Sequence, residues 1–321
     1  MANLRDIRDR ISSVKSTQQI TRAMKMVAAA RLRKAQDRMT DARPYTYKIR
    51  EVVKNLTERS NSDNPLFRTS ENPENVLIIV LGSDRGLCGG FNTNLFRIVE
   101  NKIHDHFSGH MKNGNLSMIC FGKKAYDYFR TRKYPVIDHK IGFFDQLKYE
   151  NVTDVMNGII AEFKEGTYDE VYLAYNEFKS VIAQNRRFEF ILPITYETDK
   201  VTVPEFPSIF EKKVKNKEVT DKPESESKKT GLKPDVDYLY EPDPDTILDY
   251  ILPLYVNVQL WQASLESYAA EQGARMTAMD SATENAGDII SDLQLKYNQA
   301  RQAAITTEIS EIVSGAEALS E

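Results

Sequence analysis

Residues 245–321 read DTILDYILPLYVNVQLWQASLESYAAEQGARMTAMDSATENAGDIISDLQLKYNQARQAAITTEISEIVSGAEALSE. After Pro253 the stretch has no proline, and its glycines are Gly273, Gly287 and Gly315. Apolar or small residues recur at alternating steps of three and four: Ile247, Ile251, Leu254, Val258, Trp261, Leu265, Tyr268, then Met276, Met279, Ala286, Ile290, Leu293, Tyr297, Ala300, Ala304. Beyond that the row shifts by one residue and runs Ile305, Ile309, Ile312, Ala316, Leu319. Sustained 3/4 spacing marks a helix with a supercoiling seam. At about 1.5 Å per residue the rod is about 110 Å long. Such a rod needs a partner helix or an enclosing protein, and either Asp245 or Thr246 is placed to cap its start.

The N-terminal 58 residues supply the partner. No glycine occurs before Gly82 and no proline before Pro44, where the helix is expected to bend or break. Leu4, Ile7, Ile11 and Val14 keep the stride, which continues as Gln18, Thr21, Lys25, Ala28, Leu32, Ala35, Met39 and Ala42. Ile20, Met24 and Val27 form a second row. Beside Met24 and Met26, Ala28–Ala30 give a slim apolar surface suited either to seam packing or to enclosure by another protein. Residues 1–60 carry 15 Lys/Arg against 6 Asp/Glu, and residues 262–321 carry 3 against 10. The ends are complementary, but exposed pairs contribute only ~0–1 kcal/mol each. Burying a seam residue contributes about 1.5–3 kcal/mol, so the apolar row sets the pairing.

Between the rods lies an α/β pattern. Val76–Leu81 is a continuous apolar run, read as a buried strand, and a glycine-rich turn through Asn92 follows it. A helix over about 93–107, a strand Leu116–Phe121, helices near 123–132 and 152–165, a strand Glu170–Tyr175 and an edge strand Phe188–Ile194 complete it. Alternating strands and helices imply a Rossmann-like parallel sheet. The divisions are 1–58 as N-terminal coiled-coil helix, 74–200 as α/β base domain, 201–240 as linker and 243–321 as C-terminal coiled-coil helix. Within the linker, 211–233 is a charged, mobile insertion rich in Lys, Glu, Asp and Ser, and deleting Lys212–Lys229 should spare assembly.

Several chemistries are weighed and set aside. The turn Gly82–Asn92 lacks both Gly-x-x-x-x-Gly-Lys-Ser/Thr and Gly-x-Gly-x-x-Gly, so it reads as a strand-to-helix turn rather than a phosphate cradle. Within it Asp84 and Arg85 either pair or meet a partner. His104, His106, His110 and His139 form no ligand pattern with Cys or carboxylates, and no nucleophilic or acid–base constellation stands out. No catalytic, metal or cofactor residues are assigned, and no cofactor is expected. Cys88 and Cys120 are too few for a disulfide framework, which points to a reducing compartment. No signal peptide and no 18-residue apolar run is present, so no direct membrane insertion is expected. The basic N-terminal helix leaves one alternative open, a coiled-coil scaffold binding nucleic acid, although its charges are spread round the helix.

Four stretches resemble one family. They are Ile11-Ser-Ser-Val14 with Thr17-Gln-Gln-Ile-Thr-Arg-Ala-Met-Lys-Met-Val-Ala-Ala29; Gly82-Ser-Asp-Arg-Gly-Leu-Cys-Gly-Gly-Phe-Asn92; Asp237-Tyr-Leu-Tyr-Glu-Pro-Asp-Pro244; and Tyr297-Asn-Gln-Ala-Arg-Gln-Ala-Ala-Ile-Thr306, continuing through Glu308, Glu311, Gly315 and Ala318. The chain resembles the gamma subunit of F-type ATP synthase, of the bacterial type. Some plant-type relatives carry a regulatory cysteine pair near 211–233; this chain has none there.

The resemblance implies an α/β fold with a long antiparallel coiled coil of the terminal helices. It implies a central-stalk rotor that couples ion-driven rotation of the membrane c-ring to ATP synthesis in an alpha/beta ring, and so takes part in hydrogen-ion transport without catalytic residues of its own. The implied partners are the alpha and beta subunits, epsilon and the c-ring, with no nucleic acid. The implied location is peripheral, on the cytoplasmic face of the bacterial plasma membrane. By position, Met24, Lys25, Arg301, Gln302, Thr306 and Glu308 would face the alpha/beta ring, Tyr238 and Glu241 would lie at the foot by the c-ring, and the helix past about Ala304 would enter the ring's bore.

Overall fold

The computed structural model describes residues 4–57, 64–194 and 241–318. Helix α1 runs Leu4–Thr57 and helix α6 runs Pro244–Ala318. They are antiparallel: Arg8 Nη2 donates to Tyr297 Oη at 2.8 Å, Gln18 Nε2 to the Thr283 carbonyl at 3.3 Å, and Lys25 pairs with Asp280. Thr21, Ala28, Leu32, Ala35 and Met39 are buried, as the N-terminal stride predicts, and the burial continues at Thr46, Ile49, Val53 and Leu56.

Of the two outcomes expected at Pro44, a break is excluded, because α1 continues through it as one helix. A helical proline costs about 3 kcal/mol through its missing donor and its clash with the preceding turn. Ile49, Val53 and Leu56 beyond it each bury a full side chain, which at about 1.5–3 kcal/mol apiece outweighs that cost. The cap of α6 differs from the sequence expectation. Asp243 rather than Asp245 or Thr246 fills it, accepting from Thr246 N at 2.9 Å and Thr246 Oγ1 at 2.7 Å, with Pro244 as the first helical residue.

Between the rods, the five strands are β1 (Val76–Leu81), β2 (Leu116–Phe121), β3 (Val136–Lys140), β4 (Glu170–Phe178) and β5 (Gln184–Leu192), in the order β3-β2-β1-β4-β5. The first four are parallel and β5 is antiparallel to β4. A short connection, 179–183, allows only a hairpin there, since a parallel return needs a crossover of a dozen residues. Strand β3 escapes sequence reading because its alternation of half-buried and exposed residues, Val136-Ile-Asp-His-Lys140, includes three polar side chains. Phe188–Ile194 marks the end of β5 but misses its polar beginning, Gln184-Asn-Arg-Arg187.

Strand β1 is buried along its whole length because both faces are covered. Val76, Ile78 and Val80 pack under α2 (Phe91–His106) and α4 (Lys123–Thr131), joined by Leu95, Phe96, Val99 and Phe129. A short α3 (Ser108–Asn113) leads from α2 into β2. Leu77, Ile79 and Leu81 face α5 (Tyr149–Lys164) and α6 itself, in one core with Leu252, Val256, Leu260 and Ala263. The C-terminal rod is therefore also a covering layer of the sheet, and rod and base share a hydrophobic core.

That double duty revises the stripe. Of the predicted row, Val258 and Leu265 are buried, but Ile247, Ile251, Leu254, Trp261 and Tyr268 are only partly so, whereas Leu248, Leu252, Val256 and Leu260 outside it are fully buried. Between 248 and 275, α6 is enclosed by α1 on one side and the sheet and α5 on others, so a single-seam reading catches only part of the buried surface. From Met279 to Leu293 only α1 packs on it, and the predicted residues Met279, Ala286, Ile290 and Leu293 are the buried ones.

Candidate partner-binding surfaces and the collar that holds them

Helix α6 outlasts its partner. Arg8 lies opposite Tyr297, so the register places Leu4 opposite about Arg301. From Arg301 to Ala316 every side chain is exposed. Within that span Ile305, Ile309, Ile312 and Val313 form one apolar row, each roughly half to two-thirds exposed. A second group of exposed apolar side chains, Ile20, Met26 and Val27, lies on α1. The expected second row is therefore bare at Ile20 and Val27, while Met24 is half-buried. Exposed apolar residues in contiguous rows mark a surface that another protein covers.

The residues singled out from the sequence fall into separate places. Lys25 is half-buried and pairs with Asp280 of α6. Arg301, Gln302, Thr306 and Glu308 are exposed on the bare extension, with Thr306 Oγ1 donating to the Gln302 carbonyl at 2.9 Å. Lys25 sits level with Asp280, so this second group begins about 30 Å farther along the rod. Glu241 is exposed in the turn before α6. Tyr238 and the segment 211–233 lie outside the described residues.

The glycine-rich turn is a collar that ties sheet to rod. Asn92 Oδ1 accepts from Ser83 N at 3.0 Å and Asn92 Nδ2 donates to Ser83 Oγ at 2.7 Å, closing the turn on itself. Asp84 does not pair with Arg85: its Oδ1 accepts from Lys123 N at 3.1 Å and Gly142 N at 2.8 Å, fastening the ends of β2 and β3. Gly82 is demanded by close approach, because a Cβ there would lie 2.8 Å from Ala125 Cβ. Gly89 meets a different need, a positive φ of 57°. From the rod, Arg275 Nη2 donates to the Arg85 carbonyl at 3.1 Å and reaches the Gly86 carbonyl at 3.4 Å. The same guanidinium pairs with Glu271 at 2.6 Å, both almost wholly buried.

Sequence reading passed over these buried polar residues of α6. Burial raises the Glu271 carboxyl to about 6, against the pull of Arg275. One turn earlier, Glu266 is 2% exposed and burial pushes it up to about 7. A signal existed: Glu271 and Arg275 are an i,i+4 pair flanked by Ala269 and Ala270, in a segment too apolar for a solvated face. The histidines serve locally, with His139 stacked on Tyr126 at 4.1 Å and His110 Nε2 at 2.9 Å from the Pro73 carbonyl. The thiols of Cys88 and Cys120 are free and buried, which raises both, that of Cys120 to about 12. Among the described residues no helix is long and apolar enough to cross a membrane.

Comparison with known proteins agrees with this arrangement. Residues 3–319 match the family described as ATP synthase. The ATP synthase gamma chain of Chlorobaculum tepidum is 45% identical over 320 residues, covering 99% of each chain. That of Salinibacter ruber is 44% identical over 322 residues, covering 100% of this chain and 99% of its own. Among solved structures, the fold is similar to a chain of the Euglena gracilis mitochondrial ATP synthase rotor in rotational state 1, with a TM-score of 0.62 at 17% identity over 94% of this chain and 98% of that one. A chain of the Tetrahymena thermophila mitochondrial ATP synthase central stalk and c-ring gives 0.54 at 20% identity, covering 82% and 99%. A bare-tipped antiparallel rod on a five-stranded base, matched end to end at this identity, makes the chain a member of the ATP synthase gamma-chain family.

Proposed function

We propose that the chain is the central-stalk rotor subunit of an F-type ATP synthase. Rotation of a membrane c-ring, driven by ion flow, turns the base and the rod with it. The rod's uneven face then biases each catalytic site of a surrounding alpha/beta ring among its conformations, through contacts that differ from state to state. The observation that carries this reading is the lone extension of α6, helical from Arg301 to Ala318 with Ile305, Ile309, Ile312 and Val313 bare. A single helix offers a different face in each direction, as a shaft serving several identical sites in turn must.

In this reading Met24, Lys25, Arg301, Gln302, Thr306 and Glu308 contact the alpha/beta ring. Tyr238 and Glu241 contact the c-ring at the foot, and epsilon binds the base. The chain contributes no catalytic residue, and bond chemistry belongs to the ring. The complex sits peripherally on the cytoplasmic face of a bacterial plasma membrane. The segment 211–233 is a linker not needed for assembly.

The test is capture of the tagged full chain from gently solubilised membranes. Alpha- and beta-like ATPase subunits should come with it in stoichiometric amount, and the captured complex should hydrolyse ATP. Capture without them, or salt-dependent duplex binding by the chain with a steep log–log slope, would overturn the rotor reading.

A further inference from the structure

Where rod and base join, glutamates of α6, β4 and β5 meet arginines of α1, β5 and α6, and they are not equally well paired. Glu266 is 2% exposed on α6, which packs on α1 and β4. Its Oε1 accepts from Gln262 Nε2 on the preceding turn at 2.9 Å. From β4, Glu177 acts against its charge; Glu177 is also 2% exposed and is held by Arg187 Nε at 2.8 Å and Asn185 Nδ2 at 3.0 Å. From β5 comes Glu189, whose Oε2 accepts from Tyr175 Oη at 3.2 Å. From α1, Arg43 supplies the opposing charge to Glu266, and Arg50 acts on Glu189. Arg187 is thus engaged with Glu177, at 2.8 Å, and lies 3.9 Å from Glu189. Glu271, the next acid along α6, is held by Arg275.

This geometry makes Glu266 the group whose charge is least provided for. Two carboxyl groups of the sheet, Glu177 and the half-exposed Glu189, act against its charge, and its hydrogen-bond donor on α6 is a neutral amide. Burial, reinforced by Glu177 and Glu189, raises its carboxyl to about 7, against the pull of Gln262 and Arg43. In an opened junction the same group would be hydrated and ordinary, near 4.5.

We propose that the junction of α6 with β4 and β5 is a proton-linked latch, closed when Glu266 is protonated and loosened when it ionises. The sign follows from linkage. The closed state holds its proton to higher pH than the open state does, so closure is strongest in mild acid and weakens as pH rises through neutrality. With one proton, a closed-state value of about 7 and an open-state value of 4.5, the opening equilibrium rises about tenfold from pH 6 to pH 8. Torque that enters at the base crosses this junction to reach the rod, so in the rotor reading, on which this consequence rests, the stiffness of the shaft's root depends on the pH of the surrounding solution. The latch itself is a property of the folded chain and does not need that reading.

Hydrogen exchange of the full-length chain tests it. Peptides covering Gln184–Leu192 and 260–275 are followed at pH 6, 7 and 8, with the intrinsic pH dependence of exchange divided out. The wild type should show about a tenfold rise in opening across that range in both peptides, with β1 and β2 unchanged. Glu266→Gln, neutral at every pH, should abolish the rise and stay at the protected level. Gln262→Leu removes a donor that favours the carboxylate, so its rise should continue to higher pH before levelling off. A rise below twofold in the wild type, or one that persists in Glu266→Gln, overturns the latch. Failure of the capture experiment leaves this result untouched, and failure here leaves the rotor assignment untouched.

Discussion

Replacing Arg275 with Met should cost the protein about 3 kcal/mol at pH 8, and much less in mild acid. Arg275 and Glu271 form a pair at 2.6 Å with side chains only 10% and 7% exposed. Removing one partner of such a buried pair costs about 3–5 kcal/mol, mostly because the other charge is stranded. Here the stranded group is a carboxyl already raised to about 6 with its partner present. Without Arg275 it rises further and takes up a proton near neutrality, which limits the loss to the lower part of that range. Two collar carbonyls, of Arg85 and Gly86, also lose a donor, roughly 1 kcal/mol each when no water replaces it. A folded-state carboxyl raised above its unfolded value stabilises below the unfolded value and loses that contribution as pH rises through the folded one. The deficit of Arg275→Met should therefore grow between pH 5.5 and pH 8. Adding Glu271→Gln should recover at least ~1 kcal/mol at pH 8 and little at pH 5.5. Trp261, the one tryptophan, sits on α6 against Tyr149 and reports urea unfolding directly. A pH-independent loss, or a double variant no more stable than the single one at pH 8, would refute the stranded-carboxylate argument.

Other outcomes follow from close contacts elsewhere. Gly122→Ala should lower stability by more than about 2 kcal/mol in thermal unfolding, since Gly122 has φ 89° and a Cβ would lie 2.8 Å from Ser83 C and O. Ala28→Leu should cost about 1–3 kcal/mol by the same assay, because Ala28 is 1% exposed where the two rods meet. Stopping the chain after Ala304 should leave its melting temperature unchanged within error, as everything from Arg301 to Ala316 is exposed, while reducing coupled ATP synthesis by the assembled complex.

What the sequence discloses depends on how many neighbours an element has. Met279, Ala286, Ile290 and Leu293 were legible because α6 touches one helix there, and a single contact writes a single period. Leu248, Leu252, Val256 and Leu260 were missed because α6 touches α1, α5 and the sheet at once, and burial on several sides erases the period. Strand β1 was plain because both its faces are covered, β3 obscure because its alternating side chains lie at the sheet's edge. The end of the paired region was visible as a shift in the apolar row near Ala304, within a turn of where exposure begins at Arg301. Glu266 and Glu271 went unremarked because a charged residue in a helix reads as solvated until its neighbours are known.

The bare tip and the buried root are two requirements on one helix. An isolated helix as short as 301–318 is marginal in water, since forming its first turn is costly. Here no nucleation is needed, because the tip propagates from a helix already fixed by Leu248, Leu252, Val256, Leu260 and Ala263 in the base core. The tip's composition, with Ala303, Ala304, Gln302, Glu308 and Glu311, favours propagation, and Gly315 weakens it only near the end. Its apolar row is thus held ready without a partner, and an enclosing protein would spend little binding free energy on ordering it. Stiffness at the tip therefore originates about 60 Å away, in the core shared by rod and base. That dependence is why changes at Glu266, Glu271 or Arg275, none of which would touch the enclosing ring, should nonetheless alter what the tip transmits.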